Sequence, residues 1–215
     1  MSADSADEDA RRHIPSATHL AEFVMLKSTR RPACVRKHHR QVEAPTDQRQ
    51  FAYFYGRLFG AIRRHVRAGF DTDEVDRAIT GASAQQRPSF VEVADGLVPA
   101  LKGLGAVDGR TVRQRGYYDA ADGEHLISVY PQFALTLHDG TDMFVHVHTA
   151  KEPLTPVAAG VLLALLAGAY PGGRVAVIDA RRGAVIVPQS AVVRASEASI
   201  TAYLDEYLNL WASAA

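Results

Sequence analysis

The run from Val157 to Tyr170 is 14 residues long and holds no charged side chain. A helix that is apolar around its whole circumference has no face to show to water and must be covered on every side. The run is also too short to cross a bilayer, which takes about 20 apolar residues. Its neighbours in sequence read as strands. Met143 to Thr149 precedes it, and the β-branched stretch Val175 to Ile178 follows it. Strand, buried helix and strand in that order form a crossover within one sheet.

The rest of the chain supplies the cover. Leu126 to Leu137 alternates, with Phe133, Leu135 and Leu137 on one face, and Asp139-Gly140 is a two-residue hairpin signal. Arg110 to Tyr118 reads as a further strand, with a turn at Asp122-Gly123 after it. Arg182-Gly183 turns a last strand, Val185 to Val187, back on its neighbour. Ser196 to Trp211 is expected to close the fold as a helix through Ile200, Leu204, Tyr207, Leu208 and Trp211.

Upstream the period is helical. Phe51, Tyr55, Leu58, Ile62 and Val66 recur at spacings of three and four, which predicts a helix over Phe51 to Arg67. His19 to Leu26 is a shorter one. Asp71 and Glu74 read as a capping box opening a helix to Ile79. Pro88 opens another, which Pro99 is expected to kink or end. Gly103, Gly105 and Gly109 read as a linker. The expected fold class is α/β (α+β), in a single domain at 17–215 behind a disordered acidic tail at 1–16. Its helical part is 17–105. Its mixed sheet is 106–215, in the order β-β-β-α-β-β-α.

Acids and bases balance, with 24 Lys and Arg against 24 Asp and Glu. That sum argues against a strongly basic nucleic-acid protein, but the distribution does not. Residues 11–67 carry 13 basic and 3 acidic groups, a net of +10. Segregation of this kind predicts one basic face or arm. Candidate phosphate contacts are Arg30, Arg31, Arg36, Lys37, Arg40, Arg57, Arg63, Arg64 and Arg67. The competing reading is a set of arginines neutralised by the protein's own acidic half. Expected partners are therefore DNA or RNA, or an acidic protein, and no membrane. Cys34 is the only cysteine, so an intrachain disulfide and a thiolate cluster are excluded. The acidic start lacks the apolar segment of a signal peptide, and a cytoplasmic protein is expected.

His146 and His148 stand two apart on a strand and so project to one face. Two imidazoles in that arrangement, with Glu152 nearby in sequence, form a candidate site for a divalent metal ion. The alternative is a pair of histidines with no ligand. Lys151, Glu152 and Asp179 are candidate catalytic residues. Asp179 ends a buried strand, where α/β sheets place ligands. A turn closed by an internal Asp–Arg pair is the competing reading.

Three resemblances bear on these residues. Gly140, His146-Val147-His148 and Glu152 resemble the first metal motif of the cupins, which implies a transition metal inside a small β-barrel. The α-β-β-β-α-β order over roughly 88–187 resembles the core of the PD-(D/E)XK nucleases. That likeness implies an Asp near the second core strand and a (D/E)-x-K on the third, holding Mg²⁺ and the attacking water. Gln132 stands where the Asp would, and His146-Val147-His148 where Glu-x-Lys would. The nearby acids Glu124, Asp139, Asp142 and Glu152 are out of position, and Lys151 is displaced. The likeness thus implies the fold with catalysis lost or altered. Third, Arg87-Pro88-Ser89-Phe90, Ala94-Asp95-Gly96-Leu97, Lys151-Glu152-Pro153-Leu154 and Val177-Ile178-Asp179-Ala180-Arg181-Arg182-Gly183 resemble an uncharacterised group of actinobacterial proteins. That resemblance implies shared architecture and no activity. The leading expectation is a nucleic-acid-associated module. A non-catalytic protein-interaction module and a metal-dependent enzyme using the His-x-His strand are the rivals.

Overall fold

A computed structural model of the chain describes residues 14–44, 54–112, 114–119, 124–189 and 197–214. Most of the tail expected at 1–16 lies outside them, as do Phe51 and Ser196. The described elements are α1 (Ala17–Met25), α2 (Arg31–Glu43), α3 (Gly56–Arg67), α4 (Glu74–Thr80), α5 (Arg87–Gly103), β1 (Ala106–Arg110), β2 (Gly116–Asp119), β3 (His125–Val129), β4 (Phe133–Leu137), β5 (Asp142–His148), α6 (Pro156–Ala169), β6 (Arg174–Asp179), β7 (Ala184–Ile186) and α7 (Glu197–Ala212). The fold is mixed α and β.

One sheet has five strands in the order β1-β4-β5-β6-β7, and β2 pairs with β3 apart from it. β4 runs antiparallel to both β1 and β5. β6 is parallel to β5, and β7 is antiparallel to β6. The apolar run forms α6, the crossover between the two parallel strands. Thr155 caps it, its side chain accepting from the amide of Ala158 at 3.3 Å.

Alternation along the strands gives the sheet two apolar faces. One carries Val175 and Val177 and packs on α6, which α1 and the β2–β3 hairpin cover, with α2 and α7 packed on α1. The other carries Phe133, Leu135, Val145 and Ile178 and meets Leu58 and Ile62 of α3 and Phe90 and Leu97 of α5. The sheet is open, unlike the barrel that the cupin likeness implies.

Several boundaries differ from the sequence reading, each for a local reason. The stretch Leu126 to Leu137 is two strands, because Pro131 has no N–H to offer a ladder. The stretch Arg110 to Tyr118 is also two, and its second half leaves the sheet. There the amide of Gly116 donates to the Tyr170 hydroxyl at 2.9 Å. Gly109 is part of β1, opposite Leu135, and not part of a linker. α3 begins at Gly56, with Phe54 and Tyr55 packed on the core from the preceding turn. Asp71 does not cap α4. Asp73 holds the cap position, and the Glu74 carboxylate is engaged by Arg64 and Arg77. α5 runs through Pro99 to Gly103. Phe90, Val93, Leu97 and Leu101 are buried on both sides of the proline, and that packing outweighs a lost backbone bond costing about 3 kcal/mol. The basic stretch after Lys27, left without an element in the sequence reading, is a short 3₁₀ turn and α2.

α5 and the turn after β6 approach each other through backbone. A Cβ placed on Gly96 would sit 1.9 Å from the carbonyl oxygen of Ala180 and 2.8 Å from the amide of Gly183. Neither obstacle is a side chain that can swing away. Gly103, by contrast, has open space where a Cβ would go. Gly96→Ala is therefore expected to destabilise the protein by about 2 kcal/mol or more. Gly103→Ala is expected to be neutral or to stabilise by about 0.5 kcal/mol. Urea denaturation of the two variants beside the wild type checks both.

Candidate functional site at the ends of the parallel strands

β5 and β6 end side by side, with His148 opposite Asp179 in register. Strand alternation puts His146, His148 and Asp179 on the face that carries α6. The carboxyl ends of parallel strands are where open α/β sheets bind ligands. A pocket of 640 Å³ lies there, between α1 and the loop entering α6. Its walls include His146, His148, Glu152, Glu22 and Arg30.

The two histidines differ. His148 Nε2 lies 2.8 Å from the carbonyl oxygen of Glu152. A carbonyl only accepts, so Nε2 carries the hydrogen of this bond. His146 is buried, and its Nδ1 has no hydrogen-bond partner. Burial, and then the neighbouring His148, lower its pKa to about 4. It is a neutral imidazole at physiological pH.

Lys151 and Glu152 act here through their main chain, and both side chains are exposed. The carbonyl of Lys151 accepts from Arg182, and that of Glu152 accepts from His148. Asp179 is buried and bridges the site. One oxygen accepts from the amide of Leu154 at 3.0 Å, and the other from Arg182 Nη1 at 3.0 Å. Arg181 reaches the opposite side of the sheet. It donates to the carbonyl of Thr149 at 2.7 Å and to Ser89 Oγ at 2.6 Å, and pairs with Glu92.

Gln132 stands beside the histidine strand. Its side-chain Oε1 accepts from the amide of Val147 at 2.7 Å, and its backbone N–H donates to the carbonyl of Val145 at 2.9 Å. Asp139 and Asp142 lie at the hairpin end of β5, where they pair with Arg174 and Arg110. Six residues of strand, roughly 20 Å, separate Asp142 from His148. Among the described residues, His146, His148 and Glu152 do not gather their ligand atoms within 4.8 Å of one another.

The basic segment does not form one face. α2 packs on the side of the sheet that holds α6, and α3 packs on the other. Many of the cations are engaged internally. Arg31 pairs with Glu206 at 2.6 Å and lies over the rings of Phe23 and Tyr203. Arg57 donates to the carbonyl of Gly81 at 2.6 Å. Arg63 donates to the carbonyl of Gln132 at 3.0 Å and covers Phe133. Arg64 pairs with Glu74, Arg67 with Asp108, and Lys37 with Glu22. Arg30, Arg36 and Arg40 form no ion pair among the described residues, and all three are exposed.

One cluster was not anticipated from the sequence. Cys34 and His38 are both buried on one side of α2, and Glu22 of α1 meets them. Their ligand atoms all lie within 4.8 Å of one another, and this is the only such group of three among the described residues. The signal was the spacing, since residues four apart share a helix face. The hydrogen bond from His38, chiefly, holds the Glu22 carboxyl down at about 2. Burial, chiefly, pushes the Cys34 thiol up to about 11. Comparison with protein-family models, with curated proteins and with solved structures gives no match.

Two measurements test this description. Asp179→Ala removes a buried carboxylate and strands the Leu154 amide, so it is expected to cost about 3 kcal/mol in urea unfolding. His146 titrates at 6.5 in the unfolded chain and at about 4 when folded. The unfolded chain therefore takes up the proton first. The resulting stability is intact above pH 6.5 and is lost as pH falls toward 4, by on the order of 3 kcal/mol. His19, half-buried and lowered to about 3 chiefly by desolvation, adds to the same acid limb. Unfolding free energy measured between pH 7 and 4 is expected to fall less steeply in His146→Asn.

Proposed function

We propose that the chain is a nucleic-acid-associated module on a degenerate PD-(D/E)XK-like core, which binds a polynucleotide without hydrolysing it. The sheet order supports the likeness. α5, β1, β4, β5, α6 and β6 follow the sequence of helix, three antiparallel strands, crossover helix and parallel fourth strand. The β2–β3 hairpin is an excursion between the first strand and the second. At the positions where that superfamily holds its Asp and its (D/E)-x-K stand Gln132, His146 and His148. The Gln132 carbonyl oxygen is already bonded to a backbone amide. A neutral amide and two imidazoles do not supply the anionic oxygens that Mg²⁺ requires.

The observation that carries the binding half of the reading is the contrast between the two basic helices. The four arginines of α3 are engaged by the protein itself. Arg30 rims the pocket, and Arg36 and Arg40 are exposed on α2 without an ion pair among the described residues. These three cations form the contact surface. Three phosphate contacts give a slope of about −3 in log K against log salt on duplex DNA.

Fluorescence anisotropy with labelled duplex DNA and single-stranded RNA, at low and moderate salt, tests this. The wild type is expected to bind at low salt with that slope. Arg36→Glu/Arg40→Glu is expected to weaken binding at least tenfold, and neither Mg²⁺ nor Mn²⁺ is expected to induce cleavage. No binding at low salt overturns the nucleic-acid reading and leaves an acidic protein as the partner for the same surface. Metal-dependent cleavage that His146→Ala/His148→Ala abolishes overturns the loss of hydrolysis.

A further inference from the structure

We infer that Glu22, Cys34 and His38 form a binding site for a borderline-soft divalent cation of the Zn²⁺ class. Three donors of different chemistry meet there: a thiol sulfur, an imidazole nitrogen and a carboxylate oxygen. All are ligands that Zn²⁺ and Co²⁺ accept, and the set is wrong for Mg²⁺ or Ca²⁺, which take oxygen.

The spacing fits. Cys34 Sγ is 3.4 Å from His38 Nε2, and Nε2 is 3.1 Å from Glu22 Oε2. Tetrahedral ligands at ordinary zinc bond lengths lie about 3.6 Å apart for sulfur and nitrogen, and about 3.4 Å apart for nitrogen and oxygen. Those two edges need to open by only a few tenths of an ångström, and the third, from sulfur to carboxylate oxygen, lies within 4.8 Å. The carboxylate meets His38 at Nε2, and the sulfur, 3.4 Å from Nε2 and 3.8 Å from Nδ1, is nearer to that same nitrogen. Two donors nearest one nitrogen suit a shared cation better than a relay in which a histidine links a base on one nitrogen to a nucleophile on the other.

The bare cluster is protonated: the Glu22 carboxylate accepts from His38 Nε2–H, and burial keeps Cys34 a thiol, so the cation takes the place of both protons. Tyr207 Oη is 3.3 Å from His38 Nδ1. With the cation on Nε2 that oxygen accepts from Nδ1–H, as the usual outer partner of a metal-bound histidine does. Lys37 Nζ holds the other Glu22 oxygen at 2.9 Å and leaves Oε2 to ligate. His19 stacks on the His38 ring at 4.4 Å and fixes its plane. Thiolate and carboxylate together balance the charge of one divalent ion. The set supplies three protein donors, so water takes the fourth position. Glu22 also lines the 640 Å³ pocket, which brings that position toward solvent.

Cobalt titration of the purified full chain tests the site, read by the sulfur-to-cobalt charge-transfer absorption that only a thiolate-bound ion gives. The expected result is saturation at one equivalent, displacement by Zn²⁺, and an unchanged band in His146→Ala/His148→Ala. Cys34→Ser is expected to abolish the band. Glu22→Gln, at a half-exposed and isosteric position, is expected to weaken cobalt binding at least tenfold while its circular dichroism stays that of the wild type. It keeps the test decisive if Cys34→Ser fails to fold. Absence of the band with excess Co²⁺ overturns the proposal. So does equal affinity in the wild type and Glu22→Gln, which would reduce the cluster to a Glu–His–Tyr hydrogen-bond chain beside an inert thiol.

Discussion

The need to cover α6 on all sides organises this molecule. Its side chains offer water nothing, and Ala158, Ala159, Val161, Leu162, Leu165 and Leu166 are all buried. The sheet covers one side, and α1 and the β2–β3 hairpin close the others, with α7 packed on α1 and α2. The parallel pairing of β5 and β6 follows, because a helix that leaves one strand and packs back over the sheet delivers the next strand in the same direction. The candidate site follows too. Where β5 ends and α6 begins, the chain must turn, and that turn opens the pocket beside His146 and His148. Asp179 holds the turn by binding the amide of Leu154 and the guanidinium of Arg182.

The overall charge balance has a spatial meaning. Among the described residues, the positive charge of the first 67 is dispersed over two sides of the sheet, and Arg31, Lys37 and the four arginines of α3 are spent on the protein's own carboxylates and carbonyls. On α3, arginine forks fasten one element to the next: Arg57 to the end of α4, Arg64 to its start, Arg67 to β1. Arg31 does the same for α7, with aromatic rings on its faces. Arginine suits this work because its planar fork pairs in two directions while its faces stack. What remains for a partner is the exposed side of α2 and Arg30, a smaller surface than the sequence count implied.

Much of the fold was legible in the sequence. The hairpin at Asp139-Gly140, the apolar helix, the β-branched strand and its return at Gly183 lie where period and turn residues put them. The failures were tertiary. Nothing local says that Gly116 must dock on Tyr170, or that Arg110 and Tyr118 belong to different sheets. The site was legible in part. The shared face of His146 and His148 follows from alternation, but the roles of Lys151 and Glu152 do not, because they contribute carbonyls, which every residue has. The Cys34–His38 pair was there to be read in the spacing. Its third member lies 12 residues earlier on another helix, and only packing brings it across.

α7 ties the end of the chain back to the first helices. Glu206 meets Arg31 across 175 residues of chain, and Tyr207 meets His38 across 169. Contacts at such separation close long loops, and their entropy must be spent before any of them stabilises the fold. During synthesis, α1 and α2 therefore emerge long before the ring of residues that seals them exists. Phe23, Val35 and His38 stay open to solvent until α7 has been made, so this half of the core is completed late and is the half most exposed to chaperones and to aggregation on the way.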